Sequence, residues 1–163
     1  MTITGVLLAA GRGSRMGETK QLLPWGDGTV IETSFDAIAN HCNNMVVVLG
    51  ADQERIVEAL GSREFECVES DPDAELLASI KLGLAKTNGD VLLHLADHPV
   101  VPPEIIPIII SAFSDKAIIP TIDGKGGHPV LIPQNVVAKI LGWKGDGGLR
   151  HYWEQHPELV LRL

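Results

Sequence analysis

Three places in this sequence carry side chains whose types and spacing could do chemistry. The first is Ile3 to Lys20, ITGVLLAAGRGSRMGETK, where an apolar run (Val6, Leu7, Leu8) passes through Ala9 and Ala10 into a glycine-rich segment holding Arg12, Arg15 and Lys20. Gly11, Gly13 and Gly17 let a ligand approach the backbone where a Cβ would block it; freed N–H groups beside three cations make a seat for a polyphosphate. The second is Asp97, just past the apolar run Val91 to Leu95 and flanked by His94 and His98. A carboxylate there, on the rim that carries a phosphate loop, suits a hard divalent cation such as Mg²⁺, which keeps several waters and bridges substrate phosphates. The third is a pair of glycine-bounded segments, Gly127-His128-Pro129-Val130-Leu131 and Gly145-Asp146-Gly147-Gly148-Leu149-Arg150. The latter reads as a helix N-terminus with free N–H groups and a nearby cation, fit for a phosphate group. Asp146 serves there either as the helix cap or as a second acidic residue facing the metal.

Each feature also has a plain structural reading. The opening loop is compatible with a solvated strand-to-helix turn, Asp97 with a cap or turn former, the segment at His128 with a strand entry, and the segment at Asp146 with an ordinary capped helix. His94, Asp97 and His98 together invite a transition-metal or metallohydrolase site. Strand periodicity opposes it, because residues 94 and 96 share a face while 97 lies on the other.

The elements that must position these residues follow a regular rhythm. A capping box, Thr29 with Glu32, starts a helix carrying Ile31, Phe35, Ile38 and Ala39. Met45 to Leu49 is a buried strand, Asp52 caps a helix carrying Ile56, Val57 and Leu60 that Gly61 closes, and Phe65 to Val68 is a third strand. A helix from about Glu75 to Lys86 precedes the strand Val91 to Leu95. Strand and helix alternating in this way predict a parallel sheet with right-handed crossovers, whose ligands bind beyond the carboxyl ends of the strands. Beyond it, Pro102-Pro103 opens a helix that Pro107 delays or kinks. Strands at Ala117 to Pro120 and His128 to Ile132 flank an Asp123-Gly124 turn, a short helix runs from Pro133 to Leu141, Asp146 caps a last helix through Gln155, and Leu159 to Leu163 forms an edge strand.

Bulk properties narrow the field. At 163 residues the chain reads as a single domain, 1–163, and 45% apolar with 21% charged residues is ordinary for a globular protein. A net charge of −8 argues against nucleic acid or an anionic membrane as partner, since those need an extended basic face. An anionic substrate must then be met by a local cluster of cations, which the opening loop supplies. No leader or membrane span is expected, and a cytoplasmic location follows from that. Cys42 and Cys67 have no metal-like spacing and read as buried small apolar residues.

The opening segment does not fit the kinase-type phosphate loop, which needs Gly-Lys-Ser/Thr, nor the dinucleotide fingerprint G-x-G-x-x-G. LAAGRGSRMG followed by Lys20 instead resembles the signature L-A-A-G-x-S-x-R-M-G-x-x-K of the MobA-like nucleotidyltransferases, and more narrowly their molybdenum cofactor cytidylyltransferase branch. Gly13 stands at the family's first serine, with Ser14 after it. LADHP at Leu95 to Pro99 resembles the family's L-G-D-M/Q-P, GHPVL its G-x-P-V-L on the acceptor side of the cleft, and GDGGLR its G-D-x-G-A-R. The segment Asp71 to Leu84 is shorter than the family's serine-rich turn, and only Ser79 and Lys81 keep polar roles there.

The resemblance implies a Rossmann-like three-layer α/β/α sandwich with a mostly parallel sheet, of the nucleotide-diphospho-sugar transferase type. It implies transfer of a nucleoside monophosphate from CTP, or from GTP, to the phosphate of molybdenum cofactor (molybdopterin), with Mg²⁺ on Asp97 and release of pyrophosphate. Ala10, where guanylyl enzymes commonly have glycine, favours cytidine. By the same resemblance, Leu8, Ala9, Ala10, Gly11, Arg12, Gly13, Ser14 and Ser79 bind the nucleotide, and Arg15, Lys20 and Asp97 act in catalysis. His128, Pro129, Asp146, Gly148 and Arg150 meet the acceptor. The alternatives are another phosphorylated acceptor, such as a sugar phosphate, or a non-catalytic protein that delivers the cofactor to a molybdoenzyme.

Overall fold

The computed structural model describes residues 1–11 and 19–163. Arg12, Gly13, Ser14, Arg15 and Gly17 therefore lie outside the described residues. The first strand, β1 (Ile3–Ala9), is buried at every position, as an unbroken apolar run requires of a strand covered on both faces. A 3-10 turn (Lys20–Leu22) leads into a small hairpin of β2 (Pro24–Trp25) and β3 (Gly28–Thr29). Thr29 then caps α1 (Val30–Ala39). Its hydroxyl accepts from the Glu32 N–H while the Glu32 carboxylate accepts from the Thr29 N–H at 3.1 Å, which is the capping box read from the sequence.

Next come β4 (Asn44–Leu49), α2 (Gln53–Leu60), β5 (Glu66–Glu69), α3 (Leu76–Leu84) and β6 (Asp90–Leu95). Helix α4 (Ile105–Ser111) accepts Pro107 at its third position, where an N–H has no partner within the helix to lose. After β7 (Ala117–Ile119), β8 (Thr121–Ile122) and β9 (Lys125–Gly126) pair about Asp123-Gly124, both at positive φ, as such a turn demands. The chain continues through β10 (Val130–Ile132), α5 (Gln134–Gly142), α6 (Leu149–Gln155) and β11 (Val160–Arg162).

Among the described residues seven strands form one sheet in the order β11-β7-β10-β6-β1-β4-β5, with β10 alone running against its neighbours. Alternation along the strands divides the core in two. Leu7, Val47, Leu49 and Leu92 pack with Ile31 and Phe35 of α1, Ile56 and Leu60 of α2, and Ile106 and Ile109 of α4. On the other face Val6, Leu8, Val48 and Leu93 pack with Leu77 and Ile80 of α3, Val136 and Ile140 of α5, and Tyr152 of α6. This is the three-layer sandwich with a mostly parallel sheet. Among the described residues no helix is long and apolar enough to cross a membrane.

Two caps read from the sequence are not caps. Asp52 occupies the position before α2 but is left-handed at φ 56°, and its carboxylate accepts the Thr19 hydroxyl. The extended backbone that would set a side chain over the first helical N–H groups is absent there. Asp146 lies too early, because Gly147 at φ 93° turns the chain and α6 starts only after Gly148, with no side-chain cap.

Candidate active site at the carboxyl rim

Register decides which residues meet. Leu8 of β1 lies beside Val48 and Leu95, and the Ala96 N–H donates to the Leu8 carbonyl at 3.0 Å. One residue past the last pair of the β1–β4 register, Ala10 stands opposite Gly50. Contact supports this, since a Cβ built on Gly50 would collide with the Ala10 carbonyl. On the far side of β4, Ser70 N–H donates to the Leu49 carbonyl at 2.7 Å. Ser70, Gly50 and Ala10 therefore lie side by side at the carboxyl ends of β5, β4 and β1, and Asp97 sits in the turn directly after the neighbouring β6, on the rim where such sheets bind ligands.

Two further segments return to this rim. Lys20 is exposed on the 3-10 turn, next to Thr19, whose hydroxyl is held by Asp52 at the start of α2. Because β10 is antiparallel, with Val130 opposite Leu93, His128 and Pro129 enter the sheet beside the carboxyl end of β6. Leu8, Ala9 and Ala10 are buried, so they can offer a ligand only backbone, and Gly11 is exposed. Ser79 lies 3% exposed at the start of α3, its hydroxyl 2.7 Å from that of Ser70. Arg12, Gly13, Ser14 and Arg15 fall outside the described residues.

The other acceptor candidates are not drawn in. Asp146, Gly148 and Arg150 are exposed, and among the described residues Arg150 pairs with Glu154, at 3.4 Å. Among the described residues no hydrogen bond or ion pair joins them to the Asp97 turn. Their loop is instead built around Trp143, whose carbonyl accepts from Lys81 Nζ and whose ring centroid lies 5.1 Å from that of Tyr152. A Cβ on Gly145 would collide with that indole, so this glycine has a packing reason of its own.

Around Asp97 the electrostatics are set by imidazoles. His94 is fully buried, and burial pushes its pKa down to about 4, against the opposing pull of its hydrogen bond to the His98 carbonyl. His128 is likewise pushed down to about 4, by burial first and then by His94 and His98. Both are neutral near pH 7. Asp97 is half exposed, with its Oδ1 3.8 Å from His98 Nε2. Among the described residues no three His, Cys, Asp or Glu side chains are disposed to hold a metal. A closed transition-metal site is therefore not formed by them. Mg²⁺ asks for less, since one or two carboxylates with water and substrate phosphates suffice, and an exposed Asp97 fits that demand.

Sequence reasoning passed over Gly50 and Ser70. Their signal was positional, each standing directly after a strand that ends at the rim. A cleft of about 760 Å³ does lie elsewhere, at the amino ends of β1 and β4 among Thr4, Asn44, Arg63 and Lys86. It contains none of the rim residues, and its cations are partnered, Arg63 with Asp36 at 2.8 Å and Lys86 with Glu66 at 3.9 Å.

Comparison with known proteins agrees with this geometry. The family model described as "MobA-like NTP transferase domain" matches residues 5–159. The molybdenum cofactor cytidylyltransferase of Escherichia coli is 32% identical over 131 residues, covering 78% of this chain and 68% of that protein. The nicotine blue oxidoreductase of Paenarthrobacter nicotinovorans is 27% identical over 172 residues, covering 97% and 84%. Among solved structures, Rv0371c from Mycobacterium tuberculosis superposes with a TM-score of 0.88 at 27% identity, covering 100% of this chain and 87% of that one. That mycobacterial protein has also been solved in complex with manganese.

Proposed function

Since the chain belongs to the MobA-like NTP transferase family and is a nucleotidyltransferase, we propose that it transfers CMP from CTP to the terminal phosphate of molybdenum cofactor and releases pyrophosphate. The observation that supports this reading is the rim itself, where Ala10 follows β1 against Gly50, Asp97 follows the neighbouring β6, and Thr19, next to Lys20, is tied to Asp52 at the start of α2. The E. coli relative's name supports the acceptor and the base, and Ala10 in place of glycine favours cytidine over guanosine.

No protein nucleophile is needed. An acceptor phosphate oxygen attacks the α-phosphorus in line, a new P–O bond forms, and the bond to the β-phosphate breaks with its electron pair leaving on pyrophosphate. The chain's part is positioning and charge neutralisation. Backbone from Leu8 to Gly11, with Arg12, Gly13 and Ser14, seats the nucleotide, and Ser79 supports that wall through Ser70. Arg15 and Lys20 neutralise the β and γ phosphates and the departing pyrophosphate. Asp97 would hold a Mg²⁺ ion, which when bound neutralises phosphate charge. His128 and Pro129 face the acceptor, and Asp146, Gly148 and Arg150 would meet it from the exposed segment at the start of α6.

The test is pyrophosphate release with Mg²⁺, CTP or GTP, and molybdenum cofactor, with Asp97→Ala as control. Release with CTP that is lost in the variant is expected. Release with GTP alone would correct the base, and nucleotide binding without release would favour a cofactor-delivery protein or another phosphorylated acceptor.

A further inference from the structure

A fully buried histidine in the core of a central strand needs a reason. His94 faces the same layer as Leu92 and Ala96 and lies beside Leu7 of β1, among apolar side chains. Its Nε2 is 2.9 Å from the carbonyl oxygen of His98. A carbonyl can only accept, so Nε2 carries the proton and Nδ1 is left as a bare acceptor, which has no partner among the described residues. A buried polar atom without a partner destabilises, so stability alone would favour an aliphatic residue here.

The gain lies in the turn that the Nε2–H holds. His98 N–H donates to the Leu95 carbonyl at 3.2 Å, closing Leu95-Ala96-Asp97-His98 from outside, while His94 holds the His98 carbonyl from inside. Both peptide groups flanking the His98 side chain are thereby fixed. The His98 ring is also held edge-on between His94 and His128, at centroid distances of 6.2 and 5.9 Å. Asp97 is the residue this turn presents.

We propose that His94 is a positioning residue, whose buried Nε2–H locks the Leu95–His98 turn and so aims the Asp97 carboxylate along the rim. This rests on the role given to Asp97 above. Glutamine places its amide nitrogen the same number of bonds from Cβ as histidine Nε2, so it can keep the hydrogen bond. Phenylalanine keeps the shape and loses the donor.

The experiment compares His94→Phe and His94→Gln in the full chain, each checked by thermal melting. One readout is amide hydrogen exchange at His98, the other kcat and KM for the nucleotide. In His94→Phe, His98 exchange is expected to accelerate about five- to tenfold, the scale of one lost hydrogen bond. Its kcat should fall about 10- to 100-fold, as when a supporting outer partner is removed, with KM nearly unchanged. His94→Gln should recover most of both. A folded His94→Phe with wild-type His98 exchange and kcat, or equal losses in the two variants, overturns the assignment. A wild-type protein silent in transfer overturns the functional reading instead, and the His98 exchange comparison still decides whether His94 holds the turn.

Discussion

A methyl group at Gly50 tests the rim directly. A Cβ there would collide with the Ala10 carbonyl oxygen and lie 2.8 and 2.9 Å from its carbonyl carbon and Cα, where ordinary contact is 3.4–4 Å. Both sides of this contact are backbone, so no side chain can swing away. One strand end must shift by on the order of 0.5–1 Å in a close-packed interior. Overpacking of this kind costs about 1–3 kcal/mol, which lowers Tm by roughly 2–10 °C for a protein of this size. The displacement falls on Ala10, where β1 leads toward the proposed phosphate loop, and a misplacement of about 1 Å in a positioning group can cost about 100-fold in rate. Gly50→Ala should therefore lose roughly 10- to 100-fold in kcat/KM for the nucleotide. Gly5→Ala is the matched control, since its Cβ would collide with Met45 Sδ and approach Cys42 Sγ at 3.0 Å. It lies on the same strand, about 16 Å from Ala10 at strand rise, and should lower Tm while leaving kcat/KM within about twofold. Thermal melts and pyrophosphate release measure both. Wild-type kcat/KM in Gly50→Ala, or an equal loss in Gly5→Ala, would refute the reasoning.

Two other perturbations bear on the same site. Lys20→Ala should lower kcat for pyrophosphate release by roughly 100-fold, the scale of one lost transition-state donor, while Tm stays close to wild type because Lys20 is exposed; unchanged turnover would remove Lys20 from the mechanism. The neutral imidazoles predict acid sensitivity. His94 and His128 titrate near 4 in the folded chain against 6.5 for a free histidine. The unfolded chain therefore binds more protons between those values, and stability falls as pH drops from about 6.5 toward 4, by at most about 3 kcal/mol per imidazole. Thermal melts between pH 7 and 4.5 should show this loss, and replacing His128 with Asn should shrink it; a flat profile in the wild type would contradict the burial argument.

The sequence by itself determined the alternation of strand and helix, because apolar runs such as Met45 to Leu49 and the Thr29–Glu32 capping box are local signals with local causes. It also marked Asp97 and the cationic loop, because residue type and position after a buried strand limit what they can do. Caps were less legible. Asp52 and Asp146 have the right side chains in the right places along the chain, yet a left-handed backbone at one and a glycine turn at the other direct them elsewhere. What only the tertiary structure decided is adjacency. Parallel register sets Ala10 against Gly50 and brings the end of β1 beside the strand that leads to Asp97, and the reversed β10 carries His128 to His98 across some thirty residues of chain. Register is a property of strand pairs, fixed by how two faces pack at once, and no single stretch of sequence contains it.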